Sequence, residues 1–430
     1  MAAHAVSGDS NAEDHAEDPG TPTRVFVHIG EPKTGTTFLQ QVMWGNRGML
    51  AARGLALPGH HPQDHYRASQ DLRGIEKLPS DPATPWTGEW DILATEAKAS
   101  HLAVISHELF SAADTEQAER AVRSLEPAEV HIVLTVRDMG SLLPAEWQET
   151  VKHRNTRGWE DWLADVIDVE SRAEDRDQYW FWKVHDSVAV LARWAQHVPP
   201  ERVHVITMPQ RGADDGLLWE RFAGMLGIDP GGVDLAKARS NSSLGMPEIE
   251  FLRHLNEALP QEVPGWYYMQ AVKETVAHRA LAARPRQGRL VLPADRDGWA
   301  AGQAELLISG LGGAGYDIVG DLEELRPQPI TGPRPSPSTE SAEQVLDAAV
   351  AACAALVVAQ FRRAHPAAGP QPAAARPRGL VGRVESTVAG SPRVKNTVRE
   401  LSRRYPAMRR LRVLAWREME RRRARARGSH

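Results

Sequence analysis

A chain of 430 residues exceeds the ~100 to 200 of one ordinary domain, and its 42% hydrophobic and 25% charged residues exclude wholesale disorder. The net charge of −5 conceals an asymmetry: residues 376–430 hold 17 Lys and Arg against 4 Asp and Glu, a balance of +13, so residues 1–375 stand at −18. The single cysteine, Cys353, excludes an intramolecular disulfide, and the longest apolar run, Ala348 to Ala359, falls short of the ~20 residues that cross a bilayer, so no transmembrane anchor is expected.

Residues 1–23 are acidic and carry almost no large apolar side chain, which predicts a disordered N-terminus; a secretion signal would be basic and then apolar, so a reducing cytosol is the expected compartment. From Arg24 short β-branched runs alternate with amphipathic stretches, the pattern of an α/β domain with a mainly parallel sheet and crossover helices. Strands are predicted at 24–29, 54–57, 102–106, 130–136 and 202–207, and helices at 36–52, 114–125, 141–152, 186–197 and 217–226. Further helices are predicted at 247–258, 270–283 and 300–311, as a helical addition to the same domain, which is expected to span 24–325. A Pro-rich linker at 326–341, a helix at 342–363, a Pro/Ala-rich linker at 364–379 and a basic helical tail at 380–430 complete the predicted order.

The most informative segment is Val25-Phe26-Val27-His28-Ile29-Gly30-Glu31-Pro32-Lys33-Thr34-Gly35-Thr36-Thr37, a strand entering a glycine turn that leaves as a helix. Such a turn is an anion cradle: converging backbone N–H groups, a helix N-terminus and threonine hydroxyls all donate toward phosphate oxygens. Gly30 and Gly35 have the separation of a nucleotide-hydrolysing P-loop, but Thr36 stands where such a loop needs its lysine, and Lys33 lies inside the turn. No strand clearly ends in the aspartate that a Mg²⁺-dependent enzyme of that kind requires, so a P-loop kinase is an alternative and not the expectation, and no metal is expected.

Pro32-Lys33-Thr34-Gly35-Thr36-Thr37 resembles the 5′-phosphosulfate loop of sulfotransferases that use 3′-phosphoadenosine 5′-phosphosulfate (PAPS), most like the bacterial soluble branch. The resemblance implies a P-loop-like sheet and transfer of a sulfuryl group from PAPS to a hydroxyl or amine of a small-molecule, carbohydrate or lipid acceptor. It implies Lys33, Thr34, Gly35, Thr36 and Thr37 around the phosphosulfate. Lys33 suits that chemistry independently, because the bridging oxygen gains negative charge as the S–O bond breaks. The family's second mark, a strand ending in an arginine for the 3′-phosphate, is matched by Val133-Leu134-Thr135-Val136-Arg137. The serine expected eight residues further on is Ala145 here; Ser141 is the available substitute, with Lys152 or Arg154 as alternative sources of charge.

The acceptor must lose a proton, and the third strand delivers Ser106-His107-Glu108 to the carboxyl edge of the sheet beside the loop. Glu108 is the first candidate base and His107 the second; both could instead be structural. His28, within the strand, reads as a buried, hydrogen-bonded histidine, while Tyr179-Trp180-Phe181-Trp182 with Lys183 and His185 could be core or the wall of an acceptor pocket. Arg239-Ser240-Asn241-Ser242-Ser243-Leu244-Gly245 could return over the nucleotide or start the next helix. Arg393 to Arg427 interleaves arginines with Val398, Leu401, Met408, Leu411 and Trp416, which suits an anionic membrane surface or an acidic partner and places the protein, if it binds a membrane, peripherally on the inner face. No nucleic-acid partner is expected, since the remainder is acidic. A non-catalytic, nucleotide-binding scaffold is the different-class alternative.

Overall fold

The computed structural model describes residues 22–75, 86–170, 178–238, 243–286 and 288–364. The acidic N-terminal stretch to residue 21, most of the 239–245 segment and the basic tail lie outside the described residues. The chain divides into two units, residues 1–359 and 360–430; within the second, the described residues 360–364 end a helix.

Among the described residues the first unit holds a six-stranded, all-parallel sheet in the order β2-β3-β1-β4-β5-β6: β1 (Arg24–Gly30), β2 (Leu55–Ala56), β3 (Leu102–Ser106), β4 (Glu129–Val136), β5 (Val203–Thr207) and β6 (Asp317–Val319). The α/β class expected from the sequence is the class observed. Strand β1 is central because its apolar residues serve both faces. Val25, Val27 and Ile29 join Ile105, Leu134 and Val205 on one side. Phe26 joins Val104, Val133 and Ile206 on the other, under helices α1 (Thr36–Gly45) and α10 (Leu217–Leu226). The first face is covered by α3 (Pro62–Leu72), α4 (Glu89–Lys98), α5 (Thr115–Leu125), α6 (Met139–Lys152), α7 (Trp159–Glu170), α8 (Trp180–His185) and α9 (Ser187–Trp194).

The single helix predicted over 36–52 is two, α1 and α2 (Arg47–Ala52), divided at Asn46. Its side-chain amide donates to the carbonyls of Val42 and Asp234, so the break anchors the helix pair to a distant loop. The predicted helix at 270–283 is a short α12 (Gly265–Tyr268) running into a π-helix, Met269–Leu281. Helix α11 (Met246–Ala258) takes Gly245 as its N-cap with no side-chain bond, so the helix-start role expected for the Ser/Asn loop is not played by a serine there. Helix α13 (Asp297–Gly312) precedes β6.

The Pro-rich stretch 326–341 packs within the first unit. Arg334 pairs with Asp297 at 2.6 Å and donates to the Leu292 carbonyl, and Pro337 is buried. Helix α14 (Ala342–Ala364) is one helix, among the described residues, long and apolar enough to cross a membrane by length and composition: an 18-residue window has a mean hydropathy of 1.8 and is 11% buried. The helix is longer than the apolar run read from the sequence, because it continues through Asp347 and Gln360. It buries Ala348 and Ala352, while Leu346, Val350, Val357 and Phe361 are each more than 60% exposed.

Candidate active site

The loop after β1 has the backbone an anion cradle requires. Gly35 N-caps α1 with φ of 89°, and a Cβ there would collide with Leu218. Gly30, at φ 137°, lies against the 3₁₀ turn Glu108–Ala112, where a Cβ would stand 3.0 Å from the Glu108 carbonyl oxygen. Only glycine permits both the conformation and the approach. Lys33 is also left-handed, at φ 63°, a strained state for a side-chain-bearing residue. Its carbonyl accepts a hydrogen bond from Arg137 Nη1 at 3.1 Å, which ties the loop to the end of β4.

Each predicted ligand can be placed. The Thr34 hydroxyl is buried, donating to the Glu31 carbonyl at 2.6 Å and meeting Thr135 Oγ1 at 2.5 Å, so this hydroxyl braces the loop from behind. Thr36 is buried in the first turn of α1 and Thr37 half-buried beside it. Arg137 stands at the β4 terminus, and its neighbour Asp138 is spent on capping α6, accepting from the Ser141 amide at 2.8 Å. Ser141 is therefore in the first turn of α6, on the Arg137 side of the loop. Arg154, offered as a source of charge, is engaged elsewhere: it donates to the Val263 carbonyl at 2.9 Å and to Pro260, and stacks on Tyr268.

Lys33 meets Glu149, on α6, at 2.7 Å. The same carboxylate receives Lys273 of the π-helix at 2.7 Å, His153 at 3.1 Å and Lys152 at 3.7 Å. Burial opposes ionisation of Glu149, but His153 and the three lysines hold its carboxyl far below the usual carboxylate range.

On the opposite flank, the backbone N–H of His107 donates to the His28 carbonyl at 3.1 Å, fixing the β3 exit against β1. Gln40 of α1 donates to Glu108 Oε2 at 3.2 Å, and His107 Nε2 lies 4.0 Å from the same oxygen. Burial pushes the Glu108 carboxyl up; His107, a local backbone N–H, Gln40 and Lys33 outweigh that and bring it below its ordinary value. Burial lowers the His107 imidazole. His107 Nδ1 accepts from the Leu109 amide at 3.2 Å, which places the proton of the neutral ring on Nε2, facing Glu108.

A second charged group lies wholly beneath the loop. His185 of α8 sits between Glu31, 3.5 Å from Nδ1, and Glu146 of α6, 3.6 Å from Nε2, and Ser187 donates to Glu31. Burial disfavours the imidazolium, yet the two carboxylates raise His185 to about 9. Burial holds Glu31 above its usual range, while Glu146, despite its burial, is brought below by His185. One imidazolium thus faces two carboxyl groups inside the protein, with no solvent to screen them.

His28 is fully buried and bonded to Ser106 Oγ at 2.8 Å, with its pKa lowered to about 4, chiefly by burial. Of the aromatic cluster, Phe181, Trp182 and His185 are core; Trp180 is 44% exposed under the Arg73 guanidinium. Gln40, Glu149 and Lys273 are not singled out by the sequence as site residues, nor is the meeting of His185 with Glu31 and Glu146. An open cleft of about 450 Å³ between α11 and α14, lined by Glu250, His254 and Leu346 among others, contains none of the predicted site residues. Among the described residues no group of three or more His, Cys, Asp or Glu side chains is arranged to hold a metal ion.

No family model matches the chain, and no curated protein does. A crystal structure of a sulfotransferase from Alicyclobacillus acidocaldarius is similar over 58% of this chain and 95% of that one, at 15% sequence identity and a TM-score of 0.34.

Proposed function

We propose that this chain is a PAPS-dependent sulfotransferase, with Glu108 as general base and Lys33 as the cation at the leaving phosphate. The observation that carries the reading is the placement of Lys33 in a glycine-built anion loop, between Arg137 at the end of β4 and Glu108 at the end of β3. Thr34, Gly35, Thr36 and Thr37 would surround the 5′-phosphosulfate, and Arg137 with Ser141 the 3′-phosphate.

In the proposed step, Glu108 takes the proton of the acceptor hydroxyl or amine, the freed lone pair attacks sulfur, and the bond from sulfur to the bridging phosphate oxygen breaks. Lys33 leaves Glu149 for that oxygen as charge develops on it, and Glu149 keeps Lys152 and Lys273 as partners. The tautomer of His107 supports Glu108 in the base role: with Nδ1 accepting from Leu109 and Nε2 protonated, the ring has no lone pair to offer. The acceptor is a small molecule, carbohydrate or lipid in this reading.

The product nucleotide, 3′-phosphoadenosine 5′-phosphate (PAP), is expected to bind without Mg²⁺ at least ~10-fold more tightly than ADP by calorimetry. Equal affinity would remove the 3′-phosphate role of Arg137 and the reading with it. We also propose a cytoplasmic protein held peripherally at an anionic membrane by the basic tail; the outward apolar residues of α14 support this. Vesicle binding that persists after truncation beyond Pro372 would count against the tail.

A further inference from the structure

We propose that Lys152 and Lys273 form a subsite for an oxyanion carried by the acceptor, so that the substrate is a hydroxyl or amine compound bearing a carboxylate, phosphate or sulfate. The inference rests on the transferase reading above and names the substrate class of that site.

The first argument is charge. Three ammonium groups converge on Glu149, and the fourth neighbour, His153, with Nε2 3.1 Å from Glu149 and 2.6 Å from Lys273 Nζ, adds no anion. One carboxylate against three lysines leaves a surplus of two. The side chains of Lys152 and Lys273 are each only 12% exposed, so water screens that surplus poorly. Burial accordingly lowers Lys152. The other carboxylates near Lys33 are engaged, Glu146 by His185 and Glu108 by Gln40 and His107. Glu274 sits by His278 at 3.5 Å, half exposed. The C-terminal end of α6 favours cations, but a helix dipole supplies only about half a charge.

The second argument is position. Ser141 and Lys152 stand at opposite ends of α6, about 16 Å apart along the axis at 1.5 Å per residue, so a 3′-phosphate at Arg137 and Ser141 cannot neutralise Lys152. Lys33 is the cation required at the phosphosulfate. With Lys33 on the nucleotide, Glu149 answers one of Lys152 and Lys273 and one positive charge is left over, beside the transfer centre to which Glu149 ties both lysines. An acceptor whose nucleophile lies at Glu108 would reach them with a second, negatively charged group.

The test is equilibrium dialysis of radiolabelled inorganic sulfate against the full chain saturated with PAP, so that the nucleotide's phosphate sites are filled. Wild type is expected to retain one sulfate, and Lys152→Gln/Lys273→Gln to bind it at least ~10-fold more weakly, with PAP affinity within ~3-fold of wild type. Thermal unfolding confirms the fold of the variant, and Lys273→Gln alone serves if the pair unfolds. In parallel, transfer from PAPS to 4-hydroxyphenylacetate is expected to exceed transfer to its neutral amide by ~10-fold in kcat/KM, a preference the variant loses. Absence of bound sulfate, sulfate binding unchanged in the variant, no preference for the acid, or PAP affinity lost with the lysines would each overturn the subsite. Wild-type protein that fails to bind PAP would instead sink the transferase reading, and sulfate binding lost in the variant without nucleotide would then leave an oxyanion site standing.

Discussion

Two charged clusters flank the loop after β1, and α6 contributes to both: Glu146 faces the Glu31–His185 pair, and Glu149, three residues on, faces the lysines. The first is sealed, its imidazolium held between two carboxyl groups; the second reaches the surface and is rich in cations. Charge that cannot meet solvent must be matched within the protein, whereas charge at a mouth can await a ligand. The same helix thus holds the loop in place with one carboxylate and keeps its lysine in reserve with another.

If that division is right, substitutions at the open cluster and its opposite flank should cost turnover and leave stability nearly intact. Glu108→Gln is expected to lower kcat by about 10² to 10⁴-fold. Lys33→Ala should lower it by at least ~10²-fold, with Arg137→Ala chiefly weakening PAP binding. Single-turnover rates and PAP calorimetry separate the three, and a large fall in melting temperature for Lys33→Ala would erase the contrast.

The sealed cluster should behave in the opposite way. His185→Leu leaves two buried carboxyl groups without their cation, and a loss of about 3–5 kcal/mol is expected in denaturant unfolding. A stable His185→Leu protein with impaired PAP affinity would mean that the trio serves binding directly.

Acidity sharpens the comparison at smaller amplitude. His28 and His65 are fully buried with pKa values lowered to about 4, chiefly by burial, so they stabilise the neutral protein above 6.5. That stability is lost as pH falls from 6.5 toward 4, by roughly 3 kcal/mol for each. His185, raised to about 9, stabilises fully below 6.5 and loses its contribution as pH rises through 9. Unfolding free energies measured from pH 4 to 10 should therefore fall at both ends, and His185→Leu should flatten the alkaline limb alone.

The strands β1, β3, β4 and β5 were legible because their apolar runs are continuous, as burial on two faces demands. Strand β6 was not, with three residues of which Asp317 is exposed. Helix α3 was missed because its sequence, PQDHYRASQDL, is polar; its start is set by a His61 cap and Pro62. The loop and Arg137 were readable because each sits beside its own strand. Glu149 and Lys273 reach Lys33 and one another across separations of 116 and 124 residues, and no local spacing encodes such meetings. The same holds for His185 and Glu31.

Placing the loop on the central strand also sets when it can exist. The bonds that shape it join His28 to Ser106, 78 residues later, and Gly30 to Thr135, 105 residues later. At about 5 to 20 residues per second of synthesis, the segment that carries the loop waits roughly 5 to 20 s on the ribosome before its second neighbour exists. The nascent loop has no formed cradle during that interval, so an anion that it would bind once folded cannot nucleate the sheet. Any such ligand would act only after the strands have assembled, as a brake on their coming apart, on the lifetime of the finished protein and not on the speed of its birth.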